Sequence, residues 1–384
     1  MSSGLRESLK EELRERALAS GFVACGFTSA DPLDCGGLLD GWLAQRRHGF
    51  MDYLARDRGR RLEPRASLDA AAGVMVAAWP YAPPPPPAGD WRATLTGRIA
   101  AYALGLDYHT RLAAELDRLA AFIEERTGAA SRVHVDAGPL VEKELARRAG
   151  LGWYGHNTNI LTRERGSYVL LACLLTEARL APDPPFAEDH CGTCTACVPA
   201  CPTRALDDGP TIDAPRCISY LTIEHRGPIA EHLRARMENW VFGCDVCQEV
   251  CPWNEAGGAA VEALSPSLPE LLAIDRDGFR DRFGATAVAR AKRRGLARNA
   301  AVALGNSGNP DAADPLERAL RGHDEPLVRA HAAWALGAMG TVAARIALER
   351  SRPEAQAPPV QREIELAVAR LRRTGAAAAV SRSR

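Results

Sequence analysis

The chain has 384 residues, 48 basic and 48 acidic, and is 46% apolar and 25% charged. Those figures describe an ordinary soluble protein with room for two or three domains. Zero net charge leaves any nucleic-acid footprint to a local patch, and the apolar runs around Val74–Trp79 and Val169–Leu175 are too short to cross a bilayer.

Residues 5–20 read as a charged amphipathic helix, with neither the apolar core of a secretory signal nor a twin-arginine motif, which points to the cytoplasm. Buried strands are expected over Gly21–Phe27 and Gly73–Ala78. The tract Pro83–Pro87 can join neither a sheet nor a helix and reads as an extended loop. His109–Arg126 has Leu112, Leu116, Leu119 and Ile123 on one helical stripe. Val133–Asp136 reads as a strand, Ala137-Gly138 as a turn, and Pro139 as the first position of a helix through Leu140–Ala149 to Gly150. Ser167–Leu175 is another buried strand. This alternation indicates an α/β domain over residues 1–184, with proline-rich Ala181–Phe186 as the linker out of it.

Most of the 11 cysteines fall in the next stretch. Cys191, Cys194, Cys197 and Cys201-Pro202 are spaced as in bacterial ferredoxins. Cys244, Cys247 and Cys251-Pro252 repeat the ending of that run, with Val241 where a further cysteine is expected, and upstream Cys217 can supply the missing thiolate. In the crossed ferredoxin pattern, Cys191, Cys194, Cys197 and Cys251 hold one [4Fe–4S] cluster, and Cys201, Cys217, Cys244 and Cys247 hold a second. Structural zinc also accepts CxxC pairs, but does not require this longer run twice. Cys25, Cys35 and Cys173 read as ordinary buried thiols. The module spans residues 185–258.

Residues 259–384 behave as a repeat. Asn299–Gly308 returns 32 residues later as His331–Gly340 with six of ten positions identical, and a degenerate third copy lies over Glu363–Leu371. That period indicates a HEAT-like α-solenoid, making the whole an α+β multidomain protein. Between Asp281 and Asp311 there is no acidic residue, while Arg282, Arg290, Lys292, Arg293, Arg294 and Arg298 fall there. Such a one-sign block would attract phosphates, with Arg290, Arg294 and Arg298 sharing one helical face.

Residues 132–161 (RVHVDAGPLVEKELARRAGLGWYGHNTNIL), with Arg216–His225, Gly243–Asn254 and the C-terminal repeat, resemble the epoxyqueuosine reductases over nearly the whole chain. The resemblance implies base-off cobalamin in the N-terminal domain, without a protein histidine ligand. It implies a tRNA substrate with epoxyqueuosine in the anticodon, electrons from an external donor, and Asp136 as proton donor. A monomer is expected. As an acid, Asp136 would need burial to keep its proton near neutral pH. Matching motifs make Arg61, Asp136, His156, Thr158, Ser219, Cys244, Asp245 and Val246 candidates for the cobalamin or substrate pocket, and Arg290, Lys292, Arg293, Arg294 and Arg298 candidates for tRNA. His156 stands where relatives often have lysine, and Ala101 where arginine is expected. The Asp-x-His-x-x-Gly corrinoid motif is absent, so His109 reads as a helix-start or substrate-side residue. Reductive dehalogenases share this cofactor set but typically carry an export signal. A non-catalytic electron-transfer scaffold is the other reading.

Overall fold

A computed structural model describes residues 3–83, 89–207, 209, 211–254, 265–351 and 357–382. Their packing divides into two compact units, each assembled from separate stretches of chain. The first comprises Met1–Pro83, Asp107–Pro215 and Asp245–Val261; the second comprises Pro84–Leu106, Arg216–Cys244 and Glu262–Arg384. These units cut across the linear boundaries read from the sequence. The expected boundary at 258/259 and most of the Pro83–Pro87 tract lie outside the described residues.

The first unit is built on a four-stranded sheet. Its strands are β1 (Ala24–Ser29), β2 (Gly73–Pro80), β3 (Ser131–His134) and β4 (Val169–Thr176), in the order β1-β2-β4-β3. Every neighbouring pair is antiparallel. The helix–strand alternation is therefore as expected, but the sheet is not the parallel one such alternation usually brings. Helix α1 (Ser3–Ser20) buries Leu9, Leu13 and Ala17, and α2 (Tyr108–Thr127) buries Leu112, Leu116, Leu119 and Ile123. Both stripes join one core with Phe27, Met75 and Leu174. Alternate residues of the same strands, Val74, Val76 and Leu175, pack in a second core with Leu145 and Ala146 of α3 (Glu142–Arg148). Strand period two thus sends successive residues to opposite cores.

Two expectations need correction. Ala181–Phe186 is no free linker: Asp183 pairs with Lys10 and Arg14 of α1 at 2.8 Å each, and its carboxylate accepts the Phe27 N–H at 2.9 Å. Helix α3 starts at Glu142, not Pro139, because the chain after β3 turns first through Asp136 and Gly138, both at positive φ (47° and 121°). Gly138 is required there, since a Cβ would lie 2.7 Å from the His134 ring.

The second unit is mostly helical. Its repeat helices are α4 (Lys292–Ser307), α5 (Ala313–Gly322), α6 (Pro326–Met339), α7 (Val342–Ser351) and α8 (Pro358–Arg382). The repeated sequence maps onto α4, α6 and α8, and its glycines explain the period. A Cβ on Gly305 would lie 2.7 Å from Ala335 Cα, and one on Gly337 2.7 Å from Ala367 Cα. Each copy thus presents a glycine to the alanine at one fixed position of the next, the close approach that stacks a solenoid. Gly308 and Gly340 end their helices in the left-handed conformation. No described helix is long and apolar enough to cross a membrane.

Candidate functional site

Three elements of the first unit converge around Asp136. Asp107 caps α2, accepting the His109 backbone N–H at 3.0 Å and holding His109 Nδ1 at 2.6 Å. This places Tyr108 and His109 side by side with their rings stacked, centroids 4.1 Å apart. The Tyr108 hydroxyl donates to Asp136 Oδ2 at 2.6 Å, and His109 Nε2 lies 3.9 Å from the same oxygen. Glu142 Oε1 accepts the Asp136 backbone N–H at 2.9 Å.

The burial expected for Asp136 falls on Glu142 instead. The Asp136 side chain is 67% exposed. Glu142 keeps partial exposure as a residue, yet protein atoms enclose its carboxyl. Burial first, and then the nearby Asp136 charge, push the Glu142 carboxyl up to about 8. The folded protein therefore holds a proton that the unfolded chain releases above the ordinary value of 4.5. Bound protons are then more numerous in the folded state, so stability falls as pH rises from 4.5 to about 8, by at most about 1.4 kcal/mol per pH unit. Glu142→Gln keeps the acceptor and removes the titration. A pH series of thermal melts should be flatter for this variant across that window, and an unchanged slope would place the titrating group elsewhere.

The same helix start holds a second strained residue. A two-stranded hairpin, Trp153–Tyr154 with Ile160–Leu161, carries His156, Asn157 and Thr158 at its tip. Thr158 has φ 63°, and Lys143 Nζ donates to its carbonyl at 2.8 Å. Adjacent residues Glu142 and Lys143 thus fasten Asp136 and Thr158. Neither was singled out from the sequence, although both stand within the segment that carries the family resemblance. Nearby, Arg61 has a buried Nε with no partner in the protein, and burial lowers its guanidinium below the ordinary value.

Cys191, Cys194, Cys197 and Cys251 line one cavity, together with His156 and Asn157. His156 Nδ1 sits 2.9 Å from the Cys194 carbonyl, so this ring reaches the cysteine side of the hairpin. Burial first, then the neighbouring Cys251, Cys191 and Cys194, push the Cys197 thiol up to about 11. Bound cations would relieve that mutual repulsion and draw the protons off. Among the described residues, no three His, Cys, Asp or Glu converge on a position for one metal ion. Four thiols around a cavity could hold a [4Fe–4S] cluster or a tetrahedral zinc, and the spacing of their run is the one that clusters use. All eleven cysteines are free of disulfides. The Cys251 end is tied to the segment just before β4 by Asn254, whose side chain accepts the Ser167 N–H at 2.7 Å, and by Gln248, which donates to the Ser167 carbonyl at 3.0 Å.

The other four cysteines are divided, Cys201 and Cys247 in the first unit, Cys217 and Cys244 in the second. In the first unit the Ala205 N–H donates to Cys201 Sγ at 3.3 Å. Asp245 is buried and its carbonyl opens the short helix Val246–Glu249, while Val246 is part-exposed. In the second unit Ser219 is half-buried on the helix Ile218–Ile223 next to Cys217, and Ala101 is buried in a tight turn.

The basic block departs most from expectation. Arg298 is fully buried, and its guanidinium donates to the carbonyls of His225, Gly227 and Leu221 at 2.6–2.9 Å. Asn299 continues this, donating to the carbonyls of Thr222 and Val241. Both residues brace the stretch bearing Cys217 and Cys244, so Arg298 cannot extend an exposed stripe. Burial lowers its guanidinium to about 9, still charged at neutral pH. Arg293 is largely buried and paired with Asp324, and Arg290 is exposed but paired with Glu224. Lys292 and Arg294 are exposed at the start of α4, where Lys292 has φ 60°.

Comparison with known proteins agrees with these features. Residues 190–254 match the family described as a 4Fe-4S double cluster binding domain, residues 286–369 match HEAT repeats, and residues 61–137 match epoxyqueuosine reductase QueG. An epoxyqueuosine reductase of Cellulophaga algicola is 36% identical over 304 residues, spanning 77% of this chain and 97% of the relative. That of Escherichia coli is 36% identical over 338 residues, spanning 85% and 89%. The crystal structure of an epoxyqueuosine reductase with an epoxyqueuosine-modified tRNA stem loop matches with a TM-score of 0.88 at 33% identity, covering 95% of this chain and 99% of that one. An epoxyqueuosine reductase from Bacillus subtilis, with its catalytic aspartate loop swung out of the active site, matches with a TM-score of 0.84 at 31% identity, covering 94% and 99%. On identity, coverage and fold together, this chain belongs to the epoxyqueuosine reductase family of oxidoreductases.

Proposed function

We propose that this chain reduces the epoxide of epoxyqueuosine at the wobble position of tRNA to queuosine. The observation that carries this reading is the arrangement around Asp136 in a chain of this family: an exposed carboxylate held by Tyr108, beside His109, with its backbone fastened by Glu142. The reaction consumes two electrons and two protons, converts the epoxide to an alkene and releases its oxygen as water. Asp136 delivers a proton to the departing oxygen. Tyr108 and His109 orient its carboxylate, and Glu142, protonated below about pH 8 and bonded to the Asp136 backbone, is a further proton store close by.

Cys191, Cys194, Cys197 and Cys251 would hold one [4Fe–4S] cluster, and Cys201, Cys217, Cys244 and Cys247 a second; the two would supply one-electron relay from an external donor. Cobalamin, if bound, would supply a strongly reducing cobalt centre for the epoxide. The chain's residues fit such a group: the unpartnered Nε of Arg61 suits amide carbonyls or phosphate on a corrinoid, and Asp136, His156, Thr158, Ser219, Cys244, Asp245 and Val246 are the other candidate contacts. The contacts of His109 with Asp107 and Asp136 favour a helix-start or substrate-side role over cobalt ligation. A tRNA substrate is consistent with work in the cytoplasm.

The tRNA backbone meets the second unit at Lys292 and Arg294, with Arg290 and Arg293 contributing through the charge they share with Glu224 and Asp324. The double variant Lys292→Glu with Arg294→Glu should weaken tRNA binding and lower the slope of log affinity against log salt by about two. Iron content should not change, and wild-type affinity and slope would remove this face from the interface.

The function itself is tested by incubating reconstituted protein, cobalamin and a reductant with epoxyqueuosine-bearing tRNA. The wobble nucleoside should lose one oxygen atom. An unchanged nucleoside from protein carrying all its cofactors would reject the assignment.

A further inference from the structure

We propose that the side-chain amide of Asn157 donates a hydrogen bond to a sulfur of the cluster held by Cys191, Cys194, Cys197 and Cys251, and so sets how readily that cluster accepts an electron. The inference rests on the cluster assignment proposed above.

Asn157 is 4% exposed and lines the same cavity as the four thiols. Its two amide ends are distinguishable. Oδ1 accepts the Asn159 backbone N–H at 3.1 Å, a bond that closes the tip of the hairpin. Flipping the amide would set a donor against that donor, so the network fixes the assignment. Nδ2 is then buried with no hydrogen-bond partner in the protein. A buried donor without an acceptor is costly unless something else fills the role. Neighbouring side chains are already committed: His156 Nδ1 to the Cys194 carbonyl, and Trp253 Nε1 to the His190 carbonyl at 3.2 Å. Trp153 Nε1 is also buried and unpaired, but Trp153 does not line the cavity.

Sulfur is the acceptor such a cluster would present there, as thiolate or inorganic sulfide. An electron added to the cluster spreads negative charge onto its sulfurs. A fixed N–H pointing at one of them favours the reduced state more than the oxidised state, which raises the potential. The hairpin holds this donor rigidly, because Thr158 N donates to the Gly155 carbonyl at 2.8 Å and Lys143 fastens the Thr158 carbonyl.

The test is a redox titration of the anaerobically reconstituted full chain, followed by electron paramagnetic resonance. Cys194→Ala first identifies the component belonging to this cavity by its loss. If both components survive unchanged, the cluster assignment falls and the inference with it. Asn157→Leu then removes the donor at similar volume and without charge. The identified component should become harder to reduce by about tenfold in equilibrium constant, about 59 mV for one electron, while the other stays in place. Asn157→Asp keeps the oxygen that accepts from Asn159, and should shift the same component in the same direction. If leucine hinders cluster assembly, Asn157→Ala gives the same uncharged comparison. Full iron content with an unshifted potential in the uncharged variant overturns the inference, even where aspartate shifts it, since the added charge would then be the cause.

Discussion

Asp136→Asn should lower turnover by about 10²-fold or more, the usual scale of general acid catalysis, while iron content and corrinoid binding stay at wild-type levels. The replacement has nearly the same shape, and its amide can still face the Tyr108 hydroxyl and stand beside His109. The backbone N–H that Glu142 accepts is untouched. What disappears is the carboxyl group able to pass a proton to the departing epoxide oxygen. Single-turnover assays on saturating tRNA separate this from weaker binding. Near-normal turnover would reduce Asp136 to a residue that shapes its loop, and would shift attention to Tyr108 and Glu142 as proton sources.

Cys251→Ala should have an effect at least as large, by a different route. Cys251 stands 60 residues from Cys191 in sequence, yet lines the same cavity. Without it, one cluster loses a ligand that no neighbouring cysteine replaces. Iron and sulfide should fall from about eight to about four per chain, and reduction of the epoxide should fall to background. Asn254 and Gln248 anchor the surrounding segment to Ser167, just before β4, so the fold should survive the loss of one thiol. Retention of about eight iron with full activity would show that the crossed pairing of the two cysteine runs is wrong.

The parts of this account that were legible in the sequence share a physical basis. Cysteine spacing encodes cluster geometry directly, because ligands with two residues between them can face one cluster from a single short turn. The repeat was legible because each copy needs a glycine where the next helix comes close, at Gly305 and Gly337. The stripe on α2 buried as its spacing required. Other features depend on partners distant in sequence. Nothing local marks Arg298 as buried, since the carbonyls that satisfy it lie more than 70 residues away. The same holds for Asp183, whose proline-rich surroundings suggest a linker but whose charge partners sit on α1. Glu142 shows the limit most plainly. Its carboxyl takes the burial expected of Asp136, and only the turn between β3 and α3 brings the two together.

Electrons delivered through the clusters should reach the epoxide only when a corrinoid is present. This dependence is tested most directly by mass analysis of the wobble nucleoside, with cluster-loaded protein, reductant and epoxyqueuosine-bearing tRNA, cobalamin being supplied or withheld. Conversion to queuosine is expected with cobalamin and retention of the epoxide without it. Equal conversion in both arms, by protein free of corrinoid, would contradict that dependence.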